Sequence, residues 1–285
     1  MKKQIIKDDY VKRITPFKIF STILLTVFFL SCVYPILWIG INSFKDNIEL
    51  FQNPWGLPIN ATLENYRKAI VDYGMLGFFK NSVIISLSTV FFSITFSLMA
   101  TFGMVRLRWR WNKKVLKLFL LGLMIPAYGC LIPMFSIFMK LNLLNNRLSV
   151  IIAQVTFNMP TSILIMSGFF STIPDGIEEA AIIDGCNARD IFWRIDCPIV
   201  SSGIVTVAII SFVSAWNDLL YSQIFLTADA KMPATVGLLK FCGLHGADSA
   251  GMTAAVVIIV IPVVIVYTFL HKYIMEGIIA GAVKG

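Results

Sequence analysis

The chain has 285 residues, 57% of them hydrophobic and 14% charged, with a mean hydropathy of +0.79. A soluble domain carries ~25% charged residues, so this composition excludes an ordinary water-soluble fold and leaves room for several membrane spans. The formal net charge of +8 does not describe a nucleic-acid footprint, because the basic residues gather in two clusters beside apolar runs, at 2–18 and 106–117.

Six apolar runs reach the ~20 helical residues that a bilayer requires. They fall at 19–41, 83–105, 115–139, 148–170, 203–225 and 253–270. None alternates with period two, so the expected fold is an all-α membrane protein with six transmembrane helices in one domain over 1–285. The first run is too long for a signal-peptide core and continues past Leu30–Cys32 to Trp38 and Ile41. It reads as a retained span.

Placing both termini in the cytoplasm puts 16 Lys and Arg on inside segments and 8 on outside ones. That asymmetry favours this orientation. The longest outside segment is then 42–82. Pro54, Gly56 and Pro58 mark its turn-rich entry, and Thr62 is placed to cap a short helix running to Asp72.

Between the fourth and fifth runs lies a polar inside segment, 171–202, containing "EEAAIIDGCNARDIFWRIDCP" at 178–198. Asp175 is expected to cap a helix with Glu178 and Glu179 near its positive end, stopping at Gly185. Asn187 then caps a second helix, on which Ala188, Ile191, Phe192 and Ile195 share a face broadened by Trp193. Pro198 punctuates entry into the fifth run. Helices this short need outside support, since isolated ones require ~12–15 residues. Their own bundle and a cytoplasmic partner both remain open as that support.

Polar side chains inside spans are costly in lipid and are the candidates for a solute pathway. Gln154 and Asn158 stand one turn apart on the fourth run, before Pro160. The fifth carries Ser214, Trp216, Asn217, Asp218 and Tyr221. Amides, a carboxylate and aromatic rings suit a hydroxyl-rich solute. For each residue taken singly, glue between helices is the favoured reading and solute contact the second. The five cysteines form no CxxC pair and no metal spacing with His245 or His271, and read as small apolar fillers. No G-x-x-x-x-G-K-[ST], GxSxG or HExxH string occurs. Neither bound cofactor nor metal is expected.

The polar segment resembles the EAA loop of permease subunits in bacterial ATP-binding-cassette importers. Glu179-Ala180-Ala181 precedes Gly185, then Ile195 after nine residues, then Cys197-Pro198, with Cys197 where the family usually has Leu. "TLENY" at 62–66, "AWNDLLY" at 215–221 and "GIIAGAVKG" at 277–285 are similar to strings of the maltose-type carbohydrate permeases. The resemblance implies that Glu178, Glu179, Ala180, Ala181, Asp184, Gly185, Phe192, Ile195 and Pro198 form a coupling loop docked on an ATPase subunit. It implies two ATPase subunits that bind ATP and magnesium, a second permease, a solute-binding protein and a prokaryotic plasma-membrane location. It implies a C-terminal tail at Lys284-Gly285 that reaches toward the ATPases. Sugar follows from the resemblance alone, and glycerol phosphate is an alternative cargo. An ion-driven secondary transporter would call for two broken-helix repeats. An intramembrane enzyme would call for clustered His or carboxylates, and Asp218 is the only acid placed within a span.

Overall fold

The computed structural model describes residues 16–107, 109–243 and 246–282, without the side chains of 246 and 270–282. Most of the N-terminal basic cluster, Arg108, His245 and the Lys284-Gly285 tail lie outside the described residues, as do the side chains of His271 and Lys272. Four helices are long and apolar enough to cross a membrane: Pro16–Asn42, Met75–Arg106, Arg147–Phe170 and Ser249–Phe269. Two bent pairs bring the number to six if each is one span. Among the described residues the one departure from helix and loop is a two-residue antiparallel ladder pairing Cys242 with Ala247 and Gly243 with Gly246.

The first bent pair differs from the straight helix expected over 115–139. Asn112–Met124 and Ala127–Lys140 meet at 91°. Pro126 is the cause: it has no N–H to donate and drives Ile125 into an extended conformation with ψ 119°. The expected span at 203–225 is also interrupted. Its helix runs Ser201–Trp216, and the chain resumes as Leu220–Phe225 after a three-residue break. The segment Ala188–Ile199 joins Ser201–Trp216 at 75°, which leaves the loop of 171–202 folded against the end of the bundle.

The Met75–Thr101 helix is the centre of the bundle, packed mainly on Arg147–Phe170 and Ser201–Trp216. Its contact face is a stripe of small hydroxyl residues, Ser82, Ser86, Thr89, Ser93, Ser97 and Thr101, all buried. Lipid provides no hydrophobic drive between helices, so close backbone approach through small residues is what brings them together. The large side chains Leu87, Phe91 and Met99 point outward from the same helix. At the crossing of Arg147–Phe170 and Ser201–Trp216, a Cβ on Gly203 would sit 2.6 Å from the Phe169 ring.

The end of the bundle where the Met75–Thr101 helix begins is closed by polar staples. Lys45 is fully buried, and its ammonium donates to the carbonyls of Asn53 and Gly56 at 2.6 and 2.7 Å. Asn65 donates to the carbonyls of Ser43 and Lys45. Asn47 donates to Asp248 and accepts from the Ala250 amide, tying this loop to the last helix. Thr62 accepts from the Glu64 amide as the short helix begins, and that helix continues to Asp72 as a wider π turn. By contrast, the Pro16–Asn42 helix buries only Asn42.

Gly203→Leu is expected to lower the thermal unfolding temperature of the detergent-purified chain, since overpacking costs about 1–3 kcal/mol and Phe169 is too close to yield freely. An unchanged melting curve would show that the crossing is loose.

Candidate coupling loop and solute pathway

The first loop helix runs Asp175–Ile183 and the second starts at Ala188. Pro174, not Asp175, occupies the cap position, and no side chain caps that end. Gly185 has φ +84°, the left-handed turn that glycine adopts without a Cβ clash. Asn187 caps the second helix as expected, accepting from the Arg189 and Asp190 amides at 3.0 Å. That helix then widens into a π segment over Ile191–Asp196. The change of pitch turns Ile191, Phe192 and Asp196 inward and leaves Trp193 56% exposed.

One residue that the sequence reading did not single out holds the loop in place. Arg106 ends the central span with its side chain 8% exposed. Its Nε donates to Glu178 at 2.5 Å, and its remaining nitrogens donate to Asp175 at 3.2 Å and to the Ile173 carbonyl at 3.3 Å. A guanidinium fork suits this simultaneous grip on several oxygens. Asp196, fully buried, lies against Glu178, and neither of its oxygens meets a donor. Burial and the Glu178 charge push the Asp196 carboxyl up to about 7, with Arg106 opposing. A proton on Asp196 lets it donate to Glu178 and satisfies the pair.

The proposed coupling residues therefore divide. Glu178 faces Arg106, Ala181 is buried, and Phe192 packs among Leu98, Met166, Phe170 and Val207, with its ring 5.0 Å from that of Phe102. The sequence leaves open whether Phe192 packs on its own bundle or on a partner, and the structure turns its side chain inward. Ile195 is half-buried and Pro198 exposed. Glu179, Ala180, Asp184 and Gly185 are exposed, joined by Ile182 at 61% and Ile183 at 85%. The two isoleucines were not singled out in the sequence. Their signal was available, because they share the outer face with Glu179 one turn earlier.

The pathway candidates divide as well. Gln154 accepts from Thr89 at 3.0 Å across two helices. Trp216 is buried, and its indole N–H donates to the Ile259 carbonyl. Asp218 accepts from the Tyr221 and Ser222 amides and from the Ser222 hydroxyl, capping the helix that restarts there. These three side chains act as internal fasteners. Ser214 and Asn217 are exposed. Among the described residues, Asn158 keeps an amide nitrogen, and Tyr221 a hydroxyl, without a partner. The Tyr221 ring stacks on Phe157 at 6.2 Å and lies 5.9 Å from Tyr128, an exposed residue just after the Pro126 break. A larger, nearly wholly apolar cavity of about 940 Å³ runs beside Phe119, Met134 and Pro160, and none of the polar candidates lines it.

Residues 93–279 match the family described as "Binding-protein-dependent transport system inner membrane component". The inner membrane ABC transporter permease protein YcjP of Escherichia coli is 30% identical over 92% of this chain and 94% of its own. The trehalose/maltose transport system permease protein MalG of Thermococcus litoralis is 29% identical over 98% of this chain and 99% of its own. Among solved structures, a bacterial ABC transporter involved in the import of the acidic polysaccharide alginate superposes with a TM-score of 0.77 and 26% identity. That match covers 90% of this chain and 96% of the other.

Because the folded carboxyl of Asp196 titrates near 7 and its ordinary value is 3.8, the folded state holds a proton across that interval which the unfolded chain releases. Loop stability accordingly falls as pH rises from about 4 to 7 and is flat above. Protection of residues 175–200 against hydrogen exchange, corrected for intrinsic rates, is expected to be lower at pH 8 than at pH 5. Asp196→Asn should remove that difference; a wild-type profile that is flat with pH would show that Asp196 is ionised throughout.

Proposed function

The chain belongs to the family of binding-protein-dependent inner-membrane transport components, the permease subunits of ATP-binding-cassette importers, and from that premise we propose that it carries a sugar or oligosaccharide and is driven through its 171–202 loop. The observation that carries the coupling reading is the outer face of Asp175–Ile183. Glu179, Ala180, Ile182 and Ile183 stand exposed on a helix whose opposite side is pinned by Arg106. Apolar side chains at 61% and 85% exposure in a polar loop call for a protein surface. An ATPase subunit supplies it, and it binds the ATP and magnesium that this chain is not expected to hold.

In this reading the loop faces the cytoplasm and both termini lie on the same side. A second permease completes the pathway. The Pro16–Asn42 helix, with a single buried residue, suits packing against such a partner. A solute-binding protein delivers cargo to the opposite end, consistent with the family's description.

Carbohydrate is favoured by the relative named for trehalose and maltose and by the alginate importer. Within this chain the Tyr128–Tyr221–Phe157 group offers aromatic faces beside the unpartnered Tyr221 hydroxyl. Apolar sugar faces stack on such rings while hydroxyls exchange hydrogen bonds. No ATPase activity is expected from the chain alone.

Ile183→Asp and Gly185→Pro are each expected to reduce uptake by whole cells to background while membrane insertion is unchanged. Wild-type uptake in both would sink the docking reading. Separately, a thermal-shift panel on the cognate solute-binding protein is expected to pick out a mono- or oligosaccharide. Stabilisation by glycerol phosphate alone would replace the sugar reading and leave the coupling loop untouched.

A further inference from the structure

Arg110, Lys113, Lys114 and Lys117 are all exposed, at the end of the bundle where Arg106 grips the loop. Lys113 and Lys117 are one turn apart on the Asn112–Leu121 helix, with Lys114 beside them and Arg110 one turn before. Among the described residues none of these four pairs with a carboxylate. Of the acids at this end, Asp175 and Glu178 pair with Arg106 and Asp190 with Arg194, while Glu179 and Asp184 stand exposed on the loop.

Two tryptophans sit among these cations. Trp111 lies under Lys114 and Arg110, whose charged groups are 4.4 and 5.6 Å from its ring centre. Trp109 is 43% exposed and donates its indole N–H to the Gly103 carbonyl at 2.7 Å. Trp109 also forms one wall of an open groove of about 490 Å³, whose other walls include Met99, Gly103, Leu107, Val115 and Phe119. Every residue lining the groove is apolar or glycine. A Cβ built on Gly103 would meet nothing within 4 Å, so the groove is open at that point.

We propose that this turn and the groove beside it bind an anionic phospholipid, with the headgroup phosphate on Arg110 and Lys114, whose charges converge on Trp111, with Lys113 and Lys117 adding positive charge on the far side of the helix, and with an acyl chain along Trp109 and Gly103. Orientation alone requires cations; it does not require an apolar groove at their feet. A free phosphate or an acidic peptide would use the charges and leave the groove unfilled. A phospholipid satisfies both, and tryptophan at the junction is the residue suited to the headgroup level. The groove residues Gly103 and Met104 lie in the same π segment that ends at Arg106, so a bound lipid would brace the turn that carries the loop's anchor.

The test uses the importer assembled with its partner subunits in phosphatidylcholine nanodiscs doped with phosphatidylglycerol. Lipid retained after detergent extraction is counted by native mass spectrometry. Wild type is expected to hold phosphatidylglycerol over phosphatidylcholine, and R110Q/K113Q/K114Q/K117Q to lose that preference by about tenfold. K140Q/K231Q, at cations outside the cluster, should retain it. Gly103→Leu fills the groove and keeps every cation, and is expected to lose the bound lipid too. It decides the matter if the quadruple variant fails to assemble. Phosphatidylglycerol retention at the wild-type level in Gly103→Leu overturns the site. So does displacement of the lipid by inorganic phosphate at an ionic strength where chloride has no effect, which would mark a free-anion site. Loss of ATPase subunits from the quadruple variant with lipid unchanged would assign the patch to a protein and overturn it as well.

Discussion

A polar loop lies stably against an apolar bundle only if the charges at the seam are matched there. Arg106 meets that requirement. It sits at the last turn of the central span, and its fork engages Glu178, Asp175 and the Ile173 carbonyl together. Removing one partner from such a buried set costs more than the pair gains, because the remaining charge is stranded. The orientation of the Asp175–Ile183 helix therefore follows from a residue some 70 positions earlier. With Glu178 turned inward, helical geometry sends Glu179, Ala180 and Ile183 outward. Exposure of the helix's outer face is the other side of the Arg106 grip.

The same logic explains the breaks in the spans. A helix interrupted inside a bundle frees backbone groups that lipid cannot satisfy. At the break after Trp216, Asp218 takes up the amides of Tyr221 and Ser222, so the carboxylate stands in for the missing turn. At Pro126 the cost is met differently, by short 3₁₀ turns on each side, and the chain bends by 91°. Both breaks present aromatic residues, Tyr221 from one and Tyr128 from the other, and they approach to 5.9 Å. Irregular backbone here assembles a surface that continuous helices would not bring together.

Much of this was legible in the sequence, and the failures have physical reasons. Run length in a bilayer is a strong constraint, so the positions of the apolar segments, the left-handed Gly185 and the Asn187 cap could all be read from residues alone. Long-range pairing could not. Arg106 looked like one of six basic residues in a cluster, and nothing local distinguishes the one that turns inward. Asp218 stood among the solute-pathway candidates because an acid within an apolar run is costly, and that cost is met here by capping. The break at Pro126 was visible as a proline, but hydropathy averages over it. The π segment at Ile191–Asp196 left no local mark at all.

The two aromatic residues of the loop are used differently. Neighbours on a helix stand about 100° apart or less, so Phe192 and Trp193 face different ways even side by side. In the wider turn Phe192 enters the bundle against Phe102, while Trp193 stays outside with its ring edge-on to Phe192 at 4.8 Å. Phe102 begins the π segment that ends at Arg106. The loop is thus fastened to one stretch of the central span twice, by the Phe192–Phe102 contact and by the Glu178–Arg106 pair. Two fastenings, one on each loop helix, fix a rigid body where one would leave a hinge. Under the coupling proposal, a force on Ile183 would reach the Met75–Arg106 helix through Glu178 on the same loop helix, with no step through the turn at Gly185.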